Sequence, residues 1–203
     1  MEEYRTLPDG FVARIRAPLG ALRRAYRKGV HTRLHARRRR EALATLRERP
    51  VPGRILALCL GNICRSPYVE AYLRKNGGGL GFQVASGGFM GPGRPAPPEA
   101  QEAAARRGVD TGGHVSRLVD REALEEAELI ILVDPAHGPR LRKTLGPHDK
   151  AVLVLGDLDP ETGDARTIQD PFGHEPEVFE RVFRRLDRSM DVLLGEWRSR
   201  AHG

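Results

Sequence analysis

The sequence predicts an α/β fold: a doubly wound, mainly parallel sheet in three layers, flanked by helices and preceded by a basic helical arm. Three observations predict it. Short apolar runs alternate with helical patterns through most of the chain. Proline and glycine mark many of the junctions between them. Charge divides the 203-residue chain at "RPVPG" (49–53), with 14 Lys/Arg against 5 Asp/Glu in residues 1–50, and 20 against 22 in residues 51–203. The formal net charge of +7 therefore belongs to the first 50 residues. This divides the chain into a basic extension, 1–50, and a domain, 51–203.

Within the extension, Ile15, Leu19, Leu22, Tyr26, Val30 and Leu34 recur at helical steps, with arginines around them. Pro18 suits a first turn, so one basic helix is expected over roughly 18–48. Beyond "RPVPG", "RILALCL" reads as a buried strand and "SPYVEAYLRKN" as a helix. "FQVASGG" is strand-like; "PPEAQEAAARRG" is a helix opened by proline and closed by glycine. "ELIILVD" is a strand, "AHGPRLRKTLG" a helix, and "AVLVLG" a fourth strand. The last helix carries Val178, Phe179, Val182, Phe183, Leu186, Met190, Leu193 and Leu194 on one face. No internal repeat appears.

Composition excludes several classes. With 39% hydrophobic residues the chain can bury one core, and no apolar run reaches the 18 or so residues of a membrane span. The start, "MEEYRTLPDG", lacks the basic and apolar regions of a secretory signal. The two cysteines, Cys59 and Cys64, stand too close together to staple a fold, so a cytoplasmic location is expected. No Cys/His grouping has zinc spacing; no metal and no cofactor are expected.

Both cysteines lie in "CLGNICRS", between the first strand and the first helix, where doubly wound folds bind ligands. If Cys59 to Arg65 curls so that its amides converge, it forms an anion nest closed by the helix starting near Ser66. That helix end and Arg65 favour negative charge on the Cys59 sulfur. Arg65 can grip two oxygens of a tetrahedral anion, and Gly61 permits the tight path. The loop suits a phosphate dianion held against a sulfur nucleophile. It lacks the Gly-Lys-Ser/Thr of a nucleotide-binding loop. The bare Cys-x5-Arg spacing also fits a buried strand-end cysteine and a surface arginine; the flanking strand, helix and glycine favour the nest. Attack on a phosphate ester also needs an acid for the leaving oxygen. In "IQDPFG", Pro171 pushes Asp170 out of the helical region and Phe172 follows it. Asp-Pro alone equally marks a simple turn.

Together these residues resemble the low-molecular-weight protein tyrosine phosphatase family, over about residues 54–200. "CLGNICRSP" is close to its signature loop, "ASGG" to its serine segment, "GHVSRLV" to its His-x-x-Arg stretch and "DPFG" to its acid loop. The resemblance implies a four-stranded parallel sheet and hydrolysis of phosphotyrosine through a phosphocysteine. It makes Cys59 the nucleophile and Asp170 the general acid and base. Arg65 and the loop from Leu60 and Gly61 through Asn62, Ile63 and Cys64 to Ser66 would bind phosphate, with Phe172 as a wall of the substrate slot. Asn62, Ser66, Ser86 and His114 would form a supporting network, although His114 taken alone reads as an exposed loop histidine. Cys64 matches a second thiol that guards the nucleophile by disulfide formation; simple packing behind the loop explains it equally well.

Some features depart from the family pattern. "SGG" stands where Ser-Ala-Gly is common, and Gly173 where some members have a second aromatic. Phe89 or Met90 would form the opposing wall of the slot, and Asp134 is assigned no role beyond a strand-end carboxylate. The absence of any cysteine after Cys64 argues against thioredoxin-coupled arsenate reductases, which need further cysteines downstream. Protein-arginine phosphatases carry a small polar residue where this chain has Ile63, so phosphotyrosine is preferred, but they share "DPFG" and remain the alternative. The expected partner is a phosphotyrosine protein, with an autophosphorylating tyrosine kinase the class to test. A different class of function is a basic binding module whose fold is incidental. The extension then contacts an anionic surface or acidic partner, with no specific nucleic acid expected; or it is a solvated helix lying on the domain. On this reading, removing residues 1–50 leaves small-substrate turnover within about twofold.

Overall fold

A computed structural model describes residues 32–161 and 166–201. The first strand, β1 (Arg54–Leu58), sits inside a four-stranded sheet of order β2-β1-β3-β4. Its partners are β2 (Gln83–Gly87), β3 (Leu129–Leu132) and β4 (Ala151–Val154), and all three pairings are parallel. Alternation along the strands sorts side chains to two faces. Ile55, Ala57, Leu129 and Ile131 join one core, whereas Leu56, Leu58, Ile130 and Leu132 join another. The first is covered by α2 (Arg65–Asn76), α3 (Pro98–Ala105) and α6 (Pro176–Ala201). The second is covered by α4 (Arg121–Glu126) and α5 (His137–Leu145). The result is the expected three-layer, doubly wound sheet, parallel throughout.

The chain leaves β1 for β2 on one side and later takes up β3 on the other. The carboxyl end of β1 is thus the point where strand order reverses, which leaves a crevice there. "CLGNICRS" fills that end. The apolar face of α6 is buried as its spacing predicts, apart from the half-buried Val178, and continues to Trp197. Tyr68 of α2 stacks on Phe183 with ring centroids 4.1 Å apart. Helix α4 was missed because it is only six residues long; its signal is Asp120, whose side chain accepts from Ala123 N at 2.8 Å. The fourth strand ends at Val154 and passes into a 3-10 turn, Leu155–Leu158.

The extension departs most from expectation. Its helix, α1, is described over 32–48. Ile15, Leu19, Leu22, Tyr26 and Val30 lie outside the described residues, and Leu34 is exposed. Carried forward at helical spacing, the Leu34 line would bury Arg38 and Thr45; the apolar residues instead fall one position on. His35, Ala42, Leu43 and Leu46 are buried, and the last three join the same core as α6. His35 Nε2 donates to the Asp159 carbonyl at 2.9 Å, and Arg47 grips Glu196 of α6 with two 2.7 Å bonds. Arg200 donates to the Leu46 carbonyl at 2.8 Å. Helix α1 is therefore part of the folded core, with Arg33, Arg37, Arg40 and Arg47 on its wet side. This replaces the expectation that residues 1–50 are dispensable: cutting at residue 50 should destabilise the protein rather than spare it. The gentler Leu46→Ala should lower Tm by roughly 5–15 °C. An unchanged Tm in both variants, read by thermal melts, would mean that the helix does not hold the core.

Candidate active site

Cys59 directly follows β1 and is buried at its end. Asn62, with φ of 51°, sits in the left-handed region, which asparagine tolerates better than most residues. That turn sends its backbone N–H to Cys59 Sγ at 3.2 Å. Ser66, on the first turn of α2, donates its hydroxyl to the same sulfur at 3.0 Å. Two donors on one sulfur stabilise negative charge there.

The Asn62 side chain organises what lies behind. Its Nδ2 donates to Ser66 Oγ at 3.0 Å and to Ser86 Oγ at 2.9 Å, while its Oδ1 accepts from Arg117 N at 2.9 Å. His114 Nε2 donates to the Asn62 carbonyl at 2.7 Å, so this histidine is a loop support rather than a free surface group. Ser86 donates in turn to Glu70 at 2.5 Å. Glu70 was not found from sequence; a lone glutamate on a helix gives no signal until the fold buries it behind the loop. The "SGG" departure, glycine at 87 where alanine is common, is not demanded by space. A Cβ at Gly88 would come within 2.8 Å of Asn62 N, whereas one at Gly87 would meet its neighbours at 3.4 Å, so only the second glycine is demanded by space.

Arg65 opens α2 with its side chain almost wholly buried. One terminal nitrogen donates to the Ile168 carbonyl at 3.0 Å and the other to Asp170 at 2.5 Å. Its Nε is buried without a partner. Asp170 is 105 residues away in sequence, and Arg185 helps to hold its segment by donating to the Thr167 carbonyl at 3.0 Å. Asp170 Oδ1 also accepts from Phe172 N at 3.3 Å, and the exposed Phe172 lines the same cavity. Asp134 accepts from Ala136 N at 2.8 Å and from Thr167, which confirms a strand-end carboxylate.

Cys59, Leu60, Gly61, Ile63, Cys64, Arg65, Asp170 and Phe172 line one cavity of about 190 Å³. The loop, clamp and acid read from sequence are thus brought together. Met90, half exposed, also lines this cavity; Phe89 instead packs on His137 at 5.5 Å between centroids, within the second core. Arg94 also lines the cavity and was not found from sequence. Burial, reinforced by the charge of Asp170, pushes the Cys64 thiol far up, so it stays protonated beside the nucleophile. Burial and the nearby Arg65 lower His137 to about 4, which keeps its ring neutral. Among the described residues no cluster suits a metal ion.

A family model described as low molecular weight phosphotyrosine protein phosphatase matches residues 54–201. The chain belongs to that family. It is therefore an enzyme of the phosphatase class, and the match begins at β1, leaving α1 outside it. The low molecular weight phosphatase is 30% identical over 140 residues to the probable low molecular weight protein-tyrosine-phosphatase EpsP of Ralstonia nicotianae, covering 69% of this chain and 92% of that protein. Vibrio vulnificus Wzb, solved with benzylphosphonate, superposes with a TM-score of 0.64 at 26% identity, over 71% of this chain and 99% of that one. The YwlE arginine phosphatase from Geobacillus stearothermophilus superposes with the same TM-score, 0.64, at 26% identity, over 73% and 95%. Fold alone does not separate tyrosine from arginine chemistry.

Proposed function

We propose that this phosphatase hydrolyses phosphotyrosine on protein substrates through a phosphocysteine on Cys59. The observation that carries the reading is a sulfur accepting two hydrogen bonds within the cavity that also holds Arg65 and Asp170. Loop amides and Arg65 bind the phosphoryl oxygens, and the unpartnered Nε of Arg65 gains an acceptor in such an anion. Binding a dianion draws Arg65 onto the phosphoryl oxygens and frees the Asp170 carboxyl to face the leaving oxygen. The Cys59 sulfur attacks phosphorus, the bond to the phenolic oxygen breaks, and Asp170 gives that oxygen its proton. Water then attacks the phosphocysteine, Asp170 takes the water's proton, and the phosphorus–sulfur bond breaks. Sulfur leaves as a thiolate stabilised by Ser66 and the Asn62 amide. A cytoplasmic location, and a tyrosine kinase carrying its own phosphotyrosines as partner, fit this chemistry.

Arginine phosphatase is the second reading, favoured by the superposition on YwlE. Against it stands Ile63, a buried branched apolar side chain lining the cavity, which suits a flat ring. Phosphate release from matched phosphotyrosine, phosphoserine and phosphoarginine peptides decides between them. Phosphotyrosine should exceed the others in kcat/KM by at least about tenfold. Faster release from phosphoarginine would replace the reading.

Cys64 is the second thiol of the site and serves to trap oxidised Cys59 as a disulfide. Its burial keeps it from competing as a nucleophile and makes that capture slow. After mild peroxide, thiols should restore the native enzyme but largely fail with Cys64→Ser, where Cys59 climbs to sulfinic acid. Full recovery of that variant would leave Cys64 a packing residue.

A further inference from the structure

Arg94 is built into the cavity rim but has no task in the chemistry above. Its Nε donates to the Gly91 carbonyl at 2.8 Å, and its backbone N–H donates to Ser116 Oγ at 3.0 Å. Ser116 closes the loop on itself: its hydroxyl donates to the same Gly91 carbonyl, and its N–H to the Arg94 carbonyl, both at 2.8 Å. The guanidinium then lies over two glycines. A Cβ on Gly91, whose φ is +63°, would stand 2.6 Å from Arg94 Cζ, and one on Gly61 would stand 3.0 Å from a terminal nitrogen. Any side chain at Gly91, or a larger one at Gly61, would displace the guanidinium from the rim.

The held guanidinium keeps its terminal nitrogens uncommitted. Arg107, Arg166, Arg185 and Arg188, which are partly buried like Arg94, each pair with a carboxylate, as does the buried Arg65; of the partly buried arginines described, Arg38 and Arg39 of α1 share with Arg94 the lack of one, but neither lies at the cavity. Among the described residues no carboxylate pairs with Arg94. It lines the same cavity as Cys59 and Arg65, beside Gly61. Arg65 lies deep within the site, whereas Arg94 stands at its half-exposed edge. A fixed fork with two unpaired terminal nitrogens matches a carboxylate or phosphate bidentately, end-on.

The geometry points to a second anion subsite at Arg94, which takes a negative group carried by the substrate within a residue or two of its phosphorylated side chain. Its ligand is an acidic side chain or a second phosphate on the same peptide. The preferred substrate class is therefore an acidic or multiply phosphorylated tyrosine segment. This rests on the phosphatase reading of the cavity. Turnover of a neutral phosphotyrosine peptide tests that reading, whereas the ratio between peptides tests the subsite.

The experiment measures kcat/KM for four phosphotyrosine peptides differing only beside the phosphotyrosine: glutamine, glutamate, a second phosphotyrosine, or lysine. The native enzyme should prefer glutamate over glutamine by roughly three- to tenfold, shrinking as salt rises. Arg94→Gln should bring that ratio to about one, and Arg94→Glu should invert it in favour of lysine. The arm that gains more in the native enzyme, glutamate or second phosphotyrosine, identifies the anion. Native ratios near one for both anionic peptides overturn the subsite. So does an Arg94→Gln loss shared equally by all peptides and by p-nitrophenyl phosphate, since Arg94 would then serve the transferred phosphate.

Discussion

Cys59→Ser is expected to abolish turnover while inorganic phosphate or vanadate still binds. The sulfur is the one atom at the end of β1 that can attack phosphorus, and serine's oxygen, undeprotonated there, is a far weaker nucleophile. The anion nest does not depend on it. The Asn62 turn is fixed by Ser86, Arg117 and His114, and Arg65 is anchored on the Ile168 carbonyl. A phosphate-release assay should show at most a few per cent of native activity, with anion affinity by calorimetry within about tenfold of native. Retention of substantial activity would mean that the nucleophile is elsewhere.

Asp170→Asn has the second largest expected effect, a loss of about 10²–10⁴ in kcat for phosphotyrosine, the usual contribution of a general acid. Asparagine keeps the shape and can still accept from Phe172 N, but it has no proton to give and no charge for Arg65. The loss should shrink for aryl phosphates whose leaving phenol is already acidic, because these need less protonation. A leaving-group series separates the two roles of the carboxylate. A uniform loss would reduce Asp170 to an anchor of Arg65, whereas a graded loss identifies the proton donor.

The two substitutions act at sites of unequal visibility in the sequence. Cys59 and Arg65 belong to one seven-residue loop, so a local pattern carries them: an apolar strand before, a helix start after, and a glycine between. Asp170 could be singled out only by its proline and the family resemblance, since its partner Arg65 is 105 residues away. Glu70 and Arg94 gave no local signal at all. A glutamate and an arginine on exposed-looking segments acquire a role only when β2 and the loop after it are laid beside β1.

The extension shows the same limit on a larger scale. Arginine-rich composition described its wet face correctly and its dry face not at all. The buried line through His35, Ala42, Leu43 and Leu46 includes a histidine and an alanine, which have little apolar weight in a periodicity count. What makes that face dry is the apolar core that Ala42, Leu43 and Leu46 share with α6, a helix that begins 130 residues after Leu46.

The alternation of short apolar runs with helical patterns was sufficient for the layered, mainly parallel fold class and for the reactive loop at the end of β1, because each run and each helix is read from residues close in sequence. Which face of α1 is buried, how deep Cys64 lies, and which carboxylate meets Arg65 depend on segments brought together from distant parts of the chain. Burial and partner choice are set by those long-range contacts, and no short stretch of sequence contains both members of such a pair.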